Sequence, residues 1–187
     1  MTKIAVVYHS GYGHTGVQAE AVARGAGKVP DTIVTLLTAD EAQNWELLAD
    51  ADAIIFGSPT YMGSAAAEFK KFMEASSKLW YTRDWKDKVA AGFTTSASQS
   101  GDKLNTLIQL AVFAAQHGMI WVGQDLLPGN NSSTGSVNDL NRLGGFLGAM
   151  AQANSDQGPD VAPLQSDLLT AEHLGERVAT IAKRLRG

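Results

Sequence analysis

The chain has 187 residues, 44% of them hydrophobic and 18% charged, with no cysteine. That length suits one domain with a full hydrophobic core, and the lack of cysteine excludes disulfides, Cys-ligated zinc, iron–sulfur clusters and a thiol nucleophile. Fifteen basic against 19 acidic residues leave a net charge of −4, which gives no electrostatic case for nucleic acid.

In chain order, the first element is the strand-like run Ile4-Ala5-Val6-Val7-Tyr8. It is too short for a signal-peptide core, and no later stretch approaches the roughly 18 apolar residues of a membrane span. A cytoplasmic protein without membrane partners is therefore expected. A helix follows, with Thr15, Ala19, Val22 and Ala26 on one face. Ile33 to Leu37 reads as strand two, and Asp40 to Leu48 leaves room for only a short helix before strand three, Ala53 to Phe56. Ala65, Phe69, Phe72 and Met73 share a face of the next helix. Strand four is Val89 to Phe93, and Leu104, Leu107, Ile108, Ala111 and Ala115 mark the inward face of a helix that stops at His117-Gly118. Strand five is Met119 to Val122, with Trp121 expected in the core.

From Gln124 to about Asp167 the chain is rich in Gly, Asn, Ser and Pro. An excursion of that length either covers a sheet edge or serves a substrate site or subunit contact. The last helix carries Leu174, Val178, Ile181, Ala182 and Leu185. The strands are continuously apolar rather than alternating, as expected of a parallel sheet covered on both faces. Strict strand–helix alternation predicts a single α/β domain over residues 1–187, doubly wound on a five-stranded parallel sheet.

In such a sheet, ligands bind outside the carboxyl ends of the strands. Three loops there are dense in hydroxyls and glycine: Ser10-Gly11-Tyr12-Gly13-His14-Thr15-Gly16, Ser58-Pro59-Thr60-Tyr61-Met62-Gly63, and Thr94-Thr95-Ser96-Ala97-Ser98-Gln99-Ser100-Gly101. Gly11, Gly13 and Gly16 satisfy the dinucleotide pattern G-x-G-x-x-G, but strand two ends without an acidic residue to hold a ribose. Ser10 and Thr15 around the glycines suit a terminal phosphate monoester, held by hydroxyls and helix N–H groups without Lys or Arg. A Gly-rich turn with Ser and Thr as caps is the plainer alternative. Together the three loops point to a phosphorylated aromatic cofactor, and FMN fits in size.

The segments Tyr8-His9-Ser10-Gly11-Tyr12-Gly13-His14, Ile54-Ile55-Phe56-Gly57-Ser58-Pro59-Thr60, Leu79-Trp80 and His117-Gly118-Met119 resemble the WrbA-like family of flavodoxin-like NAD(P)H:quinone oxidoreductases. The resemblance runs to Gly175-Glu176-Arg177-Val178 in the last helix. It implies strand order 2-1-3-4-5, bound FMN, and ping-pong transfer of two electrons from NADH or NADPH to a quinone by a homo-oligomer, dimer or tetramer. It also implies that Ser10 to Thr15 hold the FMN phosphate, with Tyr12 meeting the nicotinamide nucleotide. Pro59, Thr60, Tyr61, Met62 and Gly63 would flank the flavin ring. Thr94, Thr95, Ser96, Ala97, Ser98, Gln99 and Ser100 would serve its ribityl and pyrimidine parts, and Trp80 and His117 its substrate side. Tyr61-Met62 departs from the family's usual Arg-Phe pair.

His117 is the candidate for a contact to a quinone oxygen, because quinol formation needs protons and imidazole titrates near neutrality. Its alternative is a favourable interaction with the helix C-terminus. Trp80, Tyr81 and Trp85 form an aromatic cluster, with Arg83 between them, that serves as core packing or a subunit contact, or else as a lid over the flavin. A flavodoxin-type single-electron carrier is the competing function. Such carriers surround the flavin with carboxylates, whereas Asp102 is the only acid at the margin of the three loops. A non-catalytic FMN-binding regulatory module is a third reading.

Overall fold

The computed structural model describes residues 1–187, and its strands fall where the chain is continuously apolar. In order, the elements are β1 (Thr2–Tyr8), α1 (His14–Gly27), β2 (Thr32–Thr38), a 3₁₀ turn (Glu41–Gln43), α2 (Glu46–Ala49) and β3 (Ala53–Tyr61). Then come β4 (Ser64–Ala65), α3 (Ala67–Ala75), α4 (Ser77–Thr82), β5 (Val89–Ser96), α5 (Lys103–Gln116), β6 (Ile120–Trp121), β7 (Ala149–Gln152) and α6 (Gln165–Arg186). The parallel path runs β2-β1-β3-β5-β6, which is the expected order of principal strands. No helix is long and apolar enough to cross a membrane.

Register sets where the loops emerge. Tyr8 of β1 lies beside Gly57 of β3, and Ser58 of β3 beside Thr94 of β5. The chain therefore leaves β1, β3 and β5 at one edge, as the winding of an open parallel sheet requires. Two apolar clusters of 18 buried residues each, one containing Ile4, Val6 and Ile55 and the other Ala5, Val7 and Phe56, cover the two sheet faces. Consecutive strand residues thus enter opposite cores, and no polar alternation is possible.

Three expectations are corrected. The fifth strand is interrupted: β6 pairs with the start of β5, and after residues 122–148 the chain returns as β7 to pair with its end. The region from 124 to 168 is therefore an insertion in an edge strand that also contributes a strand, and β4 adds an antiparallel hairpin to β3. On α5 the buried positions are Lys103, Thr106, Leu107, Leu110, Phe113 and Ala114, whereas Leu104 and Ile108 are exposed. The helix is apolar on both sides, so periodicity selected the wrong stripe. The aromatic cluster is split as well. Trp85 is buried among Trp45, Phe56, Phe72 and Phe113, while Trp80 and Tyr81 are exposed. Trp121 is half-buried, its indole donating to the Leu147 carbonyl at 3.0 Å.

Helices α1 and α6 pack together under the sheet, and their crossing depends on glycine. A Cβ on Gly175 would lie 2.0 Å from the Val22 carbonyl oxygen, and one on Gly25 1.7 Å from that of Glu172. Both obstacles are backbone, so no side-chain rearrangement relieves them. Gly175→Ala is expected to destabilise the fold by about 3 kcal/mol, seen as a lower urea midpoint at unchanged m-value. A wild-type midpoint would contradict the close crossing.

Candidate functional site

The loop after β1 is shaped by Gly13, which caps α1 in a left-handed conformation with φ of 91°. A side chain there would also meet Pro159, with Cβ 2.7 Å from its Cγ. The Ser10 hydroxyl accepts the Gly16 amide at 3.0 Å. The amides of His14 and Thr15 donate to no protein group, and the first turn carries no acidic residue. The start of this 14-residue helix therefore offers two free donors and the positive end of its dipole.

Buried hydroxyls fix the exit of β3. The Thr60 Oγ1 donates to Thr106 at 2.8 Å and pairs with Thr94 at 2.8 Å. Met62 and Gly63 both have positive φ, 49° and 76°, as a two-residue hairpin turn demands. The Asn105 side-chain amide holds this turn through the Gly63 carbonyl at 2.6 Å. Near the end of β5, Thr95 donates to Gln18 at 2.6 Å. The amides of Ala97, Ser98, Gln99, Ser100 and Gly101 find no protein acceptor.

Between these loops lies a cavity of about 610 Å³, within the range of small-molecule sites. Ser10, Tyr12, His14, Thr15, Pro59, Thr60, Tyr61, Thr95, Ser96 and Ala97 line it. Four further lining residues, Ala153, Ser155, Gln157 and Gly158, come from the loop after β7 and were missed from sequence. The His14 Nε2 meets the Gln157 carbonyl at 2.8 Å and closes one end; because a carbonyl only accepts, that nitrogen carries the proton. Tyr12 and Tyr61 form an edge-to-face pair at 6.1 Å, and burial followed by the neighbouring Tyr12 raises the Tyr61 pKa. No carboxylate lines the cavity.

Gly11, Gly13, Met62, Gly63, Thr94, Ser98, Gln99 and Ser100 stand outside this lining. Gly11 and Gly13 shape the loop, Thr94 is buried behind Thr60, and the hairpin turn carries Met62 into solvent. Behind the β5 loop is a buried ion pair. Arg142 donates Nε and a terminal nitrogen to Asp167 at 2.8 and 2.7 Å. Asp167 also accepts the Gln152 amide at 2.9 Å, and the Gln152 side chain reaches the Ala97 carbonyl at 3.0 Å.

Trp80 and His117 do not join this cavity. Within this chain they line a second hollow of about 580 Å³ between α3, α4 and α5, apart from the three loops. His117 is 2% exposed and packs on Trp85 at 4.4 Å and Phe113 at 4.8 Å. Ser76 donates its hydroxyl proton to the Met73 carbonyl at 2.7 Å. The 3.0 Å contact between Ser76 and His117 Nε2 therefore has the imidazole as donor, which leaves Nδ1 as a buried acceptor without a partner. Burial, and secondarily the Arg83 charge, push the His117 pKa down to about 4.

Residues 30–132 match the family described as NADPH-dependent FMN reductase. The chain belongs to this family. Within it, similarity spans the whole chain: Flavodoxin FldP of Pseudomonas aeruginosa (strain UCBPP-PA14) is 44% identical over 99% of both chains. An NAD(P)H dehydrogenase (quinone) of Archaeoglobus fulgidus is 33% identical over 99% of this chain and 100% of its own. The crystal structure of a WrbA-like flavodoxin protein from Agrobacterium tumefaciens superposes with a TM-score of 0.76 at 42% identity, covering 98% of this chain and 99% of that one. This reductase-family chain thus has the flavodoxin-like α/β fold, with homologues named both as flavodoxins and as quinone dehydrogenases.

His117 is neutral at pH 7 with its proton on Nε2. Its folded pKa lies below the unfolded value of about 6.5, so its contribution to stability is present above that pH and is lost as pH falls through 4. Imidazole NMR is expected to show no His117 titration between about pH 5.5 and 8. A midpoint near 6.5 would contradict this environment.

Proposed function

We propose that the chain is an FMN-dependent NAD(P)H:quinone oxidoreductase that binds its cofactor in the cavity at the carboxyl edge of the sheet. What carries this reading is the donor set: the free amides of His14, Thr15 and Ala97 and the hydroxyls of Ser10 and Thr15 on residues lining a cavity without carboxylates. A phosphate monoester fits the start of α1, where the His14 and Thr15 amides, the Ser10 and Thr15 hydroxyls and the helix dipole converge. The amides of residues 97–101 fit the polar edge of a pyrimidine ring, and Pro59, Tyr61 and Ala97 supply apolar contact.

In this reading Ser10 to Thr15 bind phosphate, Thr60 and Tyr61 orient the ring, and Thr95 to Ala97 hold the ribityl and pyrimidine portions. Gly63, Met62 and Thr94 act by shaping those loops, and Ser98, Gln99 and Ser100 through their backbone amides. Tyr12 stands at the mouth, where the nicotinamide nucleotide and then the quinone would meet the exposed ring. Bound FMN supplies the redox chemistry, taking two electrons from NAD(P)H and passing them to a quinone. The chain's own part is to bind, orient and exclude water. His117 takes no step within its own chain, because its ring lies in the other hollow.

Residues 1–187 act as one domain in this proposal, with the edge-strand insertion providing the cavity's fourth wall. Exposed Trp80, Leu104, Ile108 and Val112 on α4 and α5 support self-association as a homo-oligomer. The single-electron carrier is the second reading, favoured by the 44% identity to Flavodoxin FldP.

FMN is expected to lose fluorescence stoichiometrically on titration with apoprotein, and NADPH or NADH oxidation to depend on added benzoquinone. Binding without quinone-dependent turnover, together with widely separated one-electron potentials, would favour the carrier. Ser10→Ala is expected to weaken FMN about tenfold, near 1.4 kcal/mol for one hydrogen bond to a charged group. It should leave riboflavin, which has no phosphate, unaffected. Equal losses for both ligands would contradict the assignment of Ser10 to the phosphate.

A further inference from the structure

Lys103 is the first residue of α5, yet its side chain is wholly buried. The placement is unfavourable twice over: burial removes hydration from the ammonium, and the positive end of a helix dipole stands beside it. No carboxylate lies within ion-pair distance, since Asp167 is taken by Arg142. The Lys103 ammonium donates instead to three consecutive carbonyls, those of Ser98, Gln99 and Ser100, at 2.6, 2.9 and 3.4 Å. The preceding carbonyl, on Ala97, is held by Gln152 at 3.0 Å.

Four carbonyls in a row are thus drawn inward. In a planar trans peptide, C=O and the following N–H point in opposite directions. The amides of Ser98, Gln99, Ser100 and Gly101 are consequently turned away from Lys103, and none has a protein acceptor. The lysine is therefore set to fix which way this loop presents its donors.

Resting on the FMN-binding reading above, we propose that Lys103 is a positioning residue for the cofactor: its ammonium clasps the 98–100 carbonyls, keeps the loop amides turned outward, and makes FMN affinity fall when it loses its proton. The charged groups around it are Asp167 on α6, Arg142 from the edge-strand insertion and Asp102 at the α5 cap. Burial lowers the Lys103 pKa to about 8, with Asp167 opposing the shift and Arg142 adding to it. The clasp is thus charged at pH 7 and weakens as pH rises through 8. Its folded pKa is below the unfolded value, so losing the proton relieves a buried charge. Between about pH 8 and 10.5 its contribution to stability rises while cofactor affinity drops. A lysine serving stability alone would not move the two in opposite directions.

The test is FMN titration by fluorescence quenching on wild type, K103M and K103R between pH 7 and 9.5, with urea melts in parallel. Expected is a rise of about tenfold in the wild-type Kd across that range. K103M should bind FMN about tenfold more weakly at pH 7 with a flat profile and no loss of folded stability, because methionine fills the buried site without a charge. K103R should keep tight binding to pH 9.5. Equal affinities for wild type and K103M, or parallel pH profiles, would overturn the role of Lys103 alone. Failure of wild type to bind FMN at pH 7 would overturn the cofactor reading and this proposal with it.

Discussion

A backbone amide without an acceptor must face water or a ligand, and the candidate site is built around that constraint. Of the chain's 110 backbone hydrogen bonds, 71 lie within helices and strands. At the carboxyl edge of the sheet the unpaired amides include those of His14 and Thr15 and of residues 97–101. In both places the surroundings hold the carbonyls or the helix axis in a fixed direction, so the donors are presented rather than merely left over. Charge plays little direct part, as the cavity has neither carboxylate nor lysine on its walls. Selectivity then has to come from the direction of hydrogen bonds and from shape.

That arrangement bears on the choice between reductase and carrier. A cavity free of carboxylates does not oppose negative charge accumulating on a bound ring, which favours chemistry in pairs of electrons. The ionic network behind the β5 loop adds no net acid: Arg142 and Asp167 cancel, and Lys103 remains. The homologues carry both kinds of name, so overall identity does not separate the two functions.

The fold could be read from the chain because a parallel sheet between two helical layers demands runs such as Ile4–Val7 and Ala53–Phe56 that are apolar at every position. The three polar loops were readable for the complementary reason, since hydroxyls and glycines gather where β1, β3 and β5 end. Periodicity failed on α5. Lys103 is buried there against the carbonyls of the loop just before it and Thr106 against Thr60 of β3, while Leu104 and Ile108 face outward. Nothing in the spacing of Ser155, Gln157 and Gly158 signalled a cavity wall. Their position depends on β7 re-entering the sheet after residues 122–148 and on His14 meeting the Gln157 carbonyl 143 residues along the chain. The same long-range folding separates His117 and Trp80 from the loops with which motif resemblance had grouped them.

If the unpaired amides at two strand ends form one FMN site, amide-resolved NMR during titration of the apoprotein with FMN will register it. The amide resonances of His14, Thr15 and residues 97–101 should then shift together with a single affinity, while those around Ser76, Trp80 and His117 stay in place. Shifts confined to the α3–α4–α5 hollow, with the two strand-end loops unmoved, would contradict it.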